Sequence, residues 1–173
     1  MKAKALFLDR DGVINVDKKY VHKIEDFEFF DEIFELCELF LKKSYLIFVV
    51  TNQSGIARGY YTESDFQKLT SFMCAEFLKR GIKISKVYHC PHLQGCSCRK
   101  PEAGMLLKAK DEFDINMSES TMIGDNLSDM QAGKKAGLKD LFLLNEDESL
   151  KKDDFYKKFA NLAQLLAYLK GNK

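Results

Sequence analysis

The sequence predicts an α/β fold, a doubly wound, Rossmann-like parallel sheet of about five strands with helices on both faces. Three observations predict it. Short, near-continuous apolar runs alternate with segments whose apolar residues recur at helical spacing, the pattern of parallel strands buried on both faces. Polar clusters follow the strand candidates, at the strand ends where this architecture gathers ligands. No internal repeat, low-complexity tract or Pro/Gly/Ser-rich linker interrupts the chain. Residues 1–173 are therefore expected to form one domain, long enough to bury roughly 70% of the surface exposed by the unfolded chain.

Each element has its own signal. Lys4–Leu8 (KALFL) reads as a buried strand, and Ile33, Cys37, Phe40 and Leu41 mark a helix after it. Tyr45–Val50 (YLIFVV) is a stronger strand. Thr62 reads as an N-cap with Asp65 three residues on, resembling a capping box; Phe66, Leu69, Met73 and Phe77 then recur at helical spacing until Gly81. Lys86–Cys90 (KVYHC), Thr121–Gly124 (TMIG) and Leu141–Leu144 (LFLL) complete the strands. Phe155, Phe159, Leu162, Leu166 and Leu169 suggest a C-terminal helix. Cys37 and Cys74 lie on apolar stripes and read as small buried hydrophobes.

Bulk composition narrows the function. Charged residues make up 31% and hydrophobic residues 46%, with a net charge of +1, which leaves no electrostatic footprint for nucleic acid or an anionic membrane. Lys151-Lys152 and Lys157-Lys158 alternate with acids and read as a solvated helix face. No apolar run reaches membrane-spanning length, and the N-terminus lacks a signal-peptide pattern. A cytoplasmic, reducing location is expected, where clustered cysteines argue for metal or catalysis over disulfides.

Four polar clusters carry the chemistry: Asp9-Arg10-Asp11-Gly12, Thr51-Asn52-Gln53-Ser54-Gly55, Arg99-Lys100 and Asp125-Asn126 with Asp129. Any one Asp-x-Asp could be a turn or a cap, but turns do not account for all four. Asp9, Asp11 and Asp125 would repel unless a hard cation binds them, and Mg²⁺ takes a few carboxylates while keeping waters and phosphate oxygens. One carboxylate could then attack phosphorus, and Asp11 could protonate the departing alkoxide and later deprotonate water. Lys100, Thr51 and main-chain N–H groups near Asn52 could stabilise the transferring group.

The third cluster adjoins a loop, residues 89–101, that offers Cys90, His92, Cys96 and Cys98. Three thiolates and an imidazole make a full tetrahedral set for structural Zn²⁺. The spacing departs from the commoner Cys-x₂-Cys knuckle, so chance clustering stays the alternative. His89 is a possible substitute ligand, although its strand position turns it elsewhere; His22 reads as a loop or surface residue.

Asp9-x-Asp11-Gly12, Thr51-Asn52, Lys100 and Gly124-Asp125-x-x-x-Asp129 resemble, in order, the four motifs of haloacid-dehalogenase-like (HAD-like) phosphatases. That resemblance implies that Asp9 is phosphorylated, that Asp11 is the acid/base, and that Mg²⁺ is held by Asp9, a main-chain oxygen of Asp11, and Asp125. The longer stretches FLDRDGVINVDKKYVHKIEDFEFFD, TNQSGIARGYY, CPHLQGCSCRKP and IGDNLSDMQAG resemble the subgroup of heptose bisphosphate phosphatases. Members lack a large cap domain and act on a small sugar phosphate through loops, one held by zinc. By that similarity Asp17, Lys18, Lys19, Tyr20, Asn52, Gln53 and Ser54 line the substrate site, Arg99 recognises substrate, and Thr51 and Lys100 stabilise the phosphoryl group. Asn126 stands where relatives often carry Lys, and the His92-to-Cys96 spacer is shorter than in many of them. Arg58 is a candidate for the distal phosphate, with a surface arginine as the alternative. The expected state is a monomer without nucleic-acid or membrane partners. A histidinol-phosphate phosphatase and a non-catalytic zinc-stabilised binding module are the rival readings.

Overall fold

The computed structural model describes residues 2–147, 150 and 153–171. Six strands, β1 (Lys4–Leu8), β2 (Tyr45–Asn52), β3 (Ile84–Cys90), β4 (Thr121–Gly124), β5 (Asp140–Leu144) and β6 (Lys157–Phe159), form one parallel sheet in the order β3-β2-β1-β4-β5-β6. The helices are α1 (Glu32–Lys42), α2 (Glu63–Leu78), α3 (Gly104–Phe113), α4 (Leu127–Ala136) and α5 (Leu162–Gly171). Strand alternation sorts the core into two layers. Leu6 and Leu8 pack with α1, α2 and α5 on one face, while Ala5 and Phe7 pack with α3 and α4 on the other. The order reverses direction between β1 and β4, so their carboxyl ends open the crevice in which such sheets bind ligands.

The capping box at the start of α2 is formed: the Asp65 N–H donates to Thr62 Oγ1 at 3.1 Å, and Asp65 accepts from the Thr62 N–H at 2.9 Å. Two expectations change. The sheet has six strands, because Lys157–Phe159 adds an edge strand beside β5. Lys157 and Lys158 therefore lie on a short, lysine-bearing edge, a common device against edge-to-edge pairing, and not on a helix face. Phe159 lies on that strand against Phe142 and Tyr168, and Phe155 precedes it, so only Leu162, Leu166 and Leu169 of the apolar stripe belong to α5. A three-residue strand is too short to show a period of two, and its phenylalanine happens to continue the helical spacing. Lys151-Lys152 lie outside the described residues.

Candidate active site

The β1–β4 crevice opens into a cleft of about 610 Å³. Asp9 directly follows β1, and its buried side chain lines the cleft. Carboxylate oxygens of Asp9, Asp125 and Asp129 lie within 4.8 Å of one another. Burial raises the Asp9 pKa most; Lys100 pulls it down, Asp129 and Asp125 push it further up, and the balance is well above the ordinary carboxylate range. Burial and Asp129 likewise push Asp125 up to about 6. Crowded carboxylates whose charged forms are disfavoured suit a hard divalent cation, so the residues fit the Mg²⁺ expected from the sequence. Gly12, at φ +82°, makes room: a Cβ there would lie 2.3 Å from Asp125 Oδ2.

Lys100 is 3% exposed, and every donor on its ammonium group has an acceptor. Nζ lies 2.6 Å from Asp129 Oδ1, 2.8 Å from the Val50 carbonyl and 3.0 Å from Asp9 Oδ1. Burial alone would lower its pKa, but Asp129 and then Asp9 hold it above the ordinary lysine value, so it is a cation throughout the neutral range. Asp129 also caps α4, its Oδ2 accepting from the Asn126 N–H at 3.0 Å.

Asp11 is held differently. Its carboxylate accepts from Arg10 Nε at 3.2 Å and from Nη2 at 2.9 Å, from Asn15 Nδ2 at 3.0 Å and from Gln53 Nε2 at 3.2 Å. The side chain is therefore held by its own donors and lies outside the carboxylate cluster of Asp9, Asp125 and Asp129. Arg10 is fully buried, also donates to the Val21 carbonyl at 2.6 Å, and stands about 6.0 Å from the rings of Phe27 and Phe66. One guanidinium thus ties the Asp-x-Asp motif to the end of the 17–21 loop. Gln53 extends the network, donating to Thr51 Oγ1 at 2.8 Å and accepting from the Tyr61 hydroxyl at 2.5 Å.

The cleft is also lined by Asp17, Lys19 and Tyr20, by Asn52–Ser54 and Tyr61, and by Arg99, Asn126 and Ser128. Lys19 and Tyr20 adopt left-handed backbone angles, φ 60° and 54°, in a turn where the Lys19 N–H donates to Asp17 Oδ1 at 2.8 Å. Tyr20 meets Tyr60 edge-on at 4.8 Å, and His22 stacks on Tyr61 at 5.0 Å, so the two loops lean on each other.

Next to this cleft, Cys90 Sγ, His92 Nδ1, Cys96 Sγ and Cys98 Sγ converge within 4.8 Å, a donor set that could hold a metal ion. His89 is turned away: its ring lies on Phe66 at 4.2 Å, and Nε2 contacts Glu63. Burial raises the Cys96 thiol, but hydrogen bonds from the Arg99 N–H and neighbouring thiols together outweigh it and bring that thiol down to about 6.

A family model described as HAD-hydrolase-like matches residues 97–161. A D-glycero-alpha-D-manno-heptose-1,7-bisphosphate 7-phosphatase of Campylobacter jejuni is 66% identical over 170 residues, covering 98% of each chain. The chain belongs to the heptose-1,7-bisphosphate 7-phosphatase family of HAD-like hydrolases. A D-glycero-beta-D-manno-heptose-1,7-bisphosphate 7-phosphatase of Pasteurella multocida is 42% identical over 98% of each chain. Among solved structures, the D,D-heptose 1,7-bisphosphate phosphatase of B. bronchiseptica, complexed with magnesium and phosphate, superposes with a TM-score of 0.87 at 26% identity, covering 98% of this chain and 99% of that one.

For this heptose-1,7-bisphosphate 7-phosphatase family member, the sequence-expected residues fall into two groups. Asp9, Asp11, Asp17, Lys19, Tyr20, Thr51, Asn52, Gln53, Ser54, Arg99, Lys100, Asp125 and Asn126 all line the one cleft. Lys18 and Arg58 do not. Lys18 pairs with Glu28 at 2.9 Å, and Arg58 is exposed on a turn in which its N–H donates to Ser54. Tyr61 and Ser128 also line the cleft; they fall within TNQSGIARGYY and IGDNLSDMQAG without an expected role, and Asp129 does more there than its place in a motif indicates. Arg10 does carry a legible signal, an arginine wedged between two aspartates directly after an apolar strand, and sequence reasoning missed it.

Proposed function

We propose that this chain removes the 7-phosphate of D-glycero-D-manno-heptose 1,7-bisphosphate in the synthesis of activated heptose, and that the α anomer is its better substrate. The observation carrying the phosphatase reading is the buried Asp9 carboxylate facing the cleft 3.0 Å from Lys100 and beside Asp125. The relative named for the α anomer is 66% identical over nearly the whole chain, whereas relatives named for the β anomer stand at 42 to 47%. That difference supports the anomer.

Asp9 acts as nucleophile: its carboxylate oxygen forms a bond to phosphorus as the bond from phosphorus to the sugar oxygen breaks. Asp11 gives its proton to the departing alkoxide. It then takes a proton from the water that attacks phosphorus, which frees inorganic phosphate and restores Asp9. Lys100 and Thr51 steady the charge on the phosphoryl oxygens, with the Asn52 main-chain N–H as a further donor. Asp9, the main-chain oxygen of Asp11 and Asp125 would hold Mg²⁺, which when bound neutralises phosphoryl charge. Lys19, Tyr20, Gln53, Ser54, Arg99 and Asn126 face the sugar and its second phosphate.

Turnover with Mg²⁺ on the two synthetic anomers and on histidinol phosphate tests this directly. We expect kcat/KM on the α anomer to exceed that on the β anomer by about tenfold, within the range one well-shaped pocket achieves. Equal or reversed preference would sink the anomer assignment, and faster hydrolysis of histidinol phosphate would replace the substrate class.

The Cys/His loop holds structural Zn²⁺ in this reading, with all four donors on the protein and no open position. Elemental analysis of unchelated protein should find stoichiometric zinc. Cys98→Ser should lose it, lower the thermal midpoint and reduce turnover, since Lys100 follows Cys98 by two residues. Retained zinc in that variant would remove Cys98 from the ligand set. A monomer in a reducing cytoplasm is the matching biological setting; none of the five cysteines is in a disulfide. No helix among the described residues is long and apolar enough to cross a membrane.

A further inference from the structure

We propose that Asn52 is a positioning residue for Lys100, its carboxamide coupling the Cys/His loop to the cation that meets the phosphoryl group; the proposal rests on the phosphatase reading above. The loop leaves the sheet at Cys90 and returns to the cleft at Lys100. Strand β2 runs far enough for Asn52 to pair with Cys90. Beyond that pairing, Asn52 Nδ2 donates to the Lys100 carbonyl at 3.1 Å, and the Lys100 N–H donates to Asn52 Oδ1 at 3.0 Å. The next residue holds the other end, the Gln53 N–H donating to the Cys90 carbonyl at 2.8 Å. Two consecutive residues at the end of β2 therefore grip both ends of the loop.

The consequence lies in the lysine side chain. Its four-carbon stem is flexible, so three acceptors can hold Nζ in one place only if the main chain of Lys100 is itself fixed. The loop offers little apolar burial to do this, since Leu93 is exposed and Gly95 has open space around it. Internal bonds help. The Gly104 N–H donates to the Ser97 carbonyl at 3.0 Å, in a contact so close that a Cβ on Gly104 would lie 2.3 Å from that same carbonyl. Both main-chain polar groups of Lys100 are nevertheless held by one amide side chain on the strand bearing Thr51. Only Asn has the length and the adjacent donor and acceptor to serve both main-chain groups of one residue; Asp lacks the donor and Gln is a methylene too long.

Asn52 also faces the cleft, so the test must separate positioning from substrate contact. For Asn52→Ala and Asn52→Asp, amide hydrogen exchange at Lys100 is measured by NMR, with the β1 amides as an internal check of the fold. Turnover is measured on the sugar bisphosphate and on p-nitrophenyl phosphate, which has no sugar to contact. We expect exchange at Lys100 to quicken roughly tenfold or more in the Ala variant while β1 keeps its protection. Both variants should lose kcat by about ten- to a hundredfold, and by a similar factor on the two substrates. Unchanged Lys100 exchange in the Ala variant, or a loss confined to KM for the sugar, would overturn the proposal. Wild-type inactivity on every phosphate ester would refute the phosphatase reading instead, and the exchange result would still decide whether Asn52 holds Lys100.

Discussion

Asp9→Asn is expected to abolish phosphate release, by at least about a thousandfold, while leaving the protein folded. The amide keeps the shape of the carboxylate but cannot form the acyl phosphate. Its effect on stability follows from sign. Burial, Asp129 and Asp125 raise the Asp9 pKa more than Lys100 lowers it. A carboxyl raised in the folded state loses stability as pH climbs above its unfolded pKa, so near neutral pH the ionised Asp9 is a cost of folding in the metal-free protein. The neutral amide removes that cost, and the thermal midpoint without Mg²⁺ should be equal to or higher than wild type. Lys100 would still pair with Asp129. Phosphate release and a melting curve on one preparation check both halves. Retained turnover would remove Asp9 as nucleophile and revive the binding-module reading.

The second large effect is expected at Lys100, where function and stability fall together. Lys100→Met keeps the apolar stem but leaves Asp9 and Asp129 facing each other across a buried gap and takes the donor from the Val50 carbonyl. Removing one partner of a buried ion pair costs about 3–5 kcal/mol, because the remaining charge stays buried without compensation. The sign is again defined: a lysine whose pKa is raised in the fold contributes its stability below its ordinary value of 10.5 and loses it only as pH rises above that. The deficit should therefore be complete at neutral pH, as urea unfolding would show. Mg²⁺ should recover more stability in the variant than in wild type, since it supplies the missing positive charge to the carboxylates. Turnover at saturating Mg²⁺ should still be severely reduced, because the metal does not replace the ammonium group at the phosphoryl oxygens. Near-normal turnover would remove Lys100 from the site.

Much of the fold is legible in the chain, for identifiable reasons. Lys4–Leu8 and Thr121–Gly124 have the predicted bounds because parallel strands covered on both faces must be apolar at nearly every position. Strand β2 runs two residues past its apolar run, through Thr51 and Asn52, since hydrogen bonding to β3 continues after hydrophobicity ends. Strand β6 leaves no such trace: three residues bearing two lysines carry no periodicity, and Phe159 continues the spacing of α5. Convergence of the four polar clusters follows from topology, because every strand of a parallel sheet points its carboxyl end the same way.

What the sequence determined by itself is therefore the inventory and the address: the sheet, the acids, the lysine, the four metal-type donors, and the edge of the sheet where they meet. Residue types and strand direction suffice for that. Only the tertiary structure decided what each side chain faces. It held Asp11 outside the carboxylate cluster and in the grip of Arg10, set Asp129 on Lys100, withdrew Lys18 and Arg58 from the cleft, and directed the Asn52 amide onto the main chain of Lys100. The physical reason is that motif spacing constrains position along the chain. Which of several acceptors a donor reaches depends on packing between segments as distant as residues 52 and 100, which no local pattern encodes.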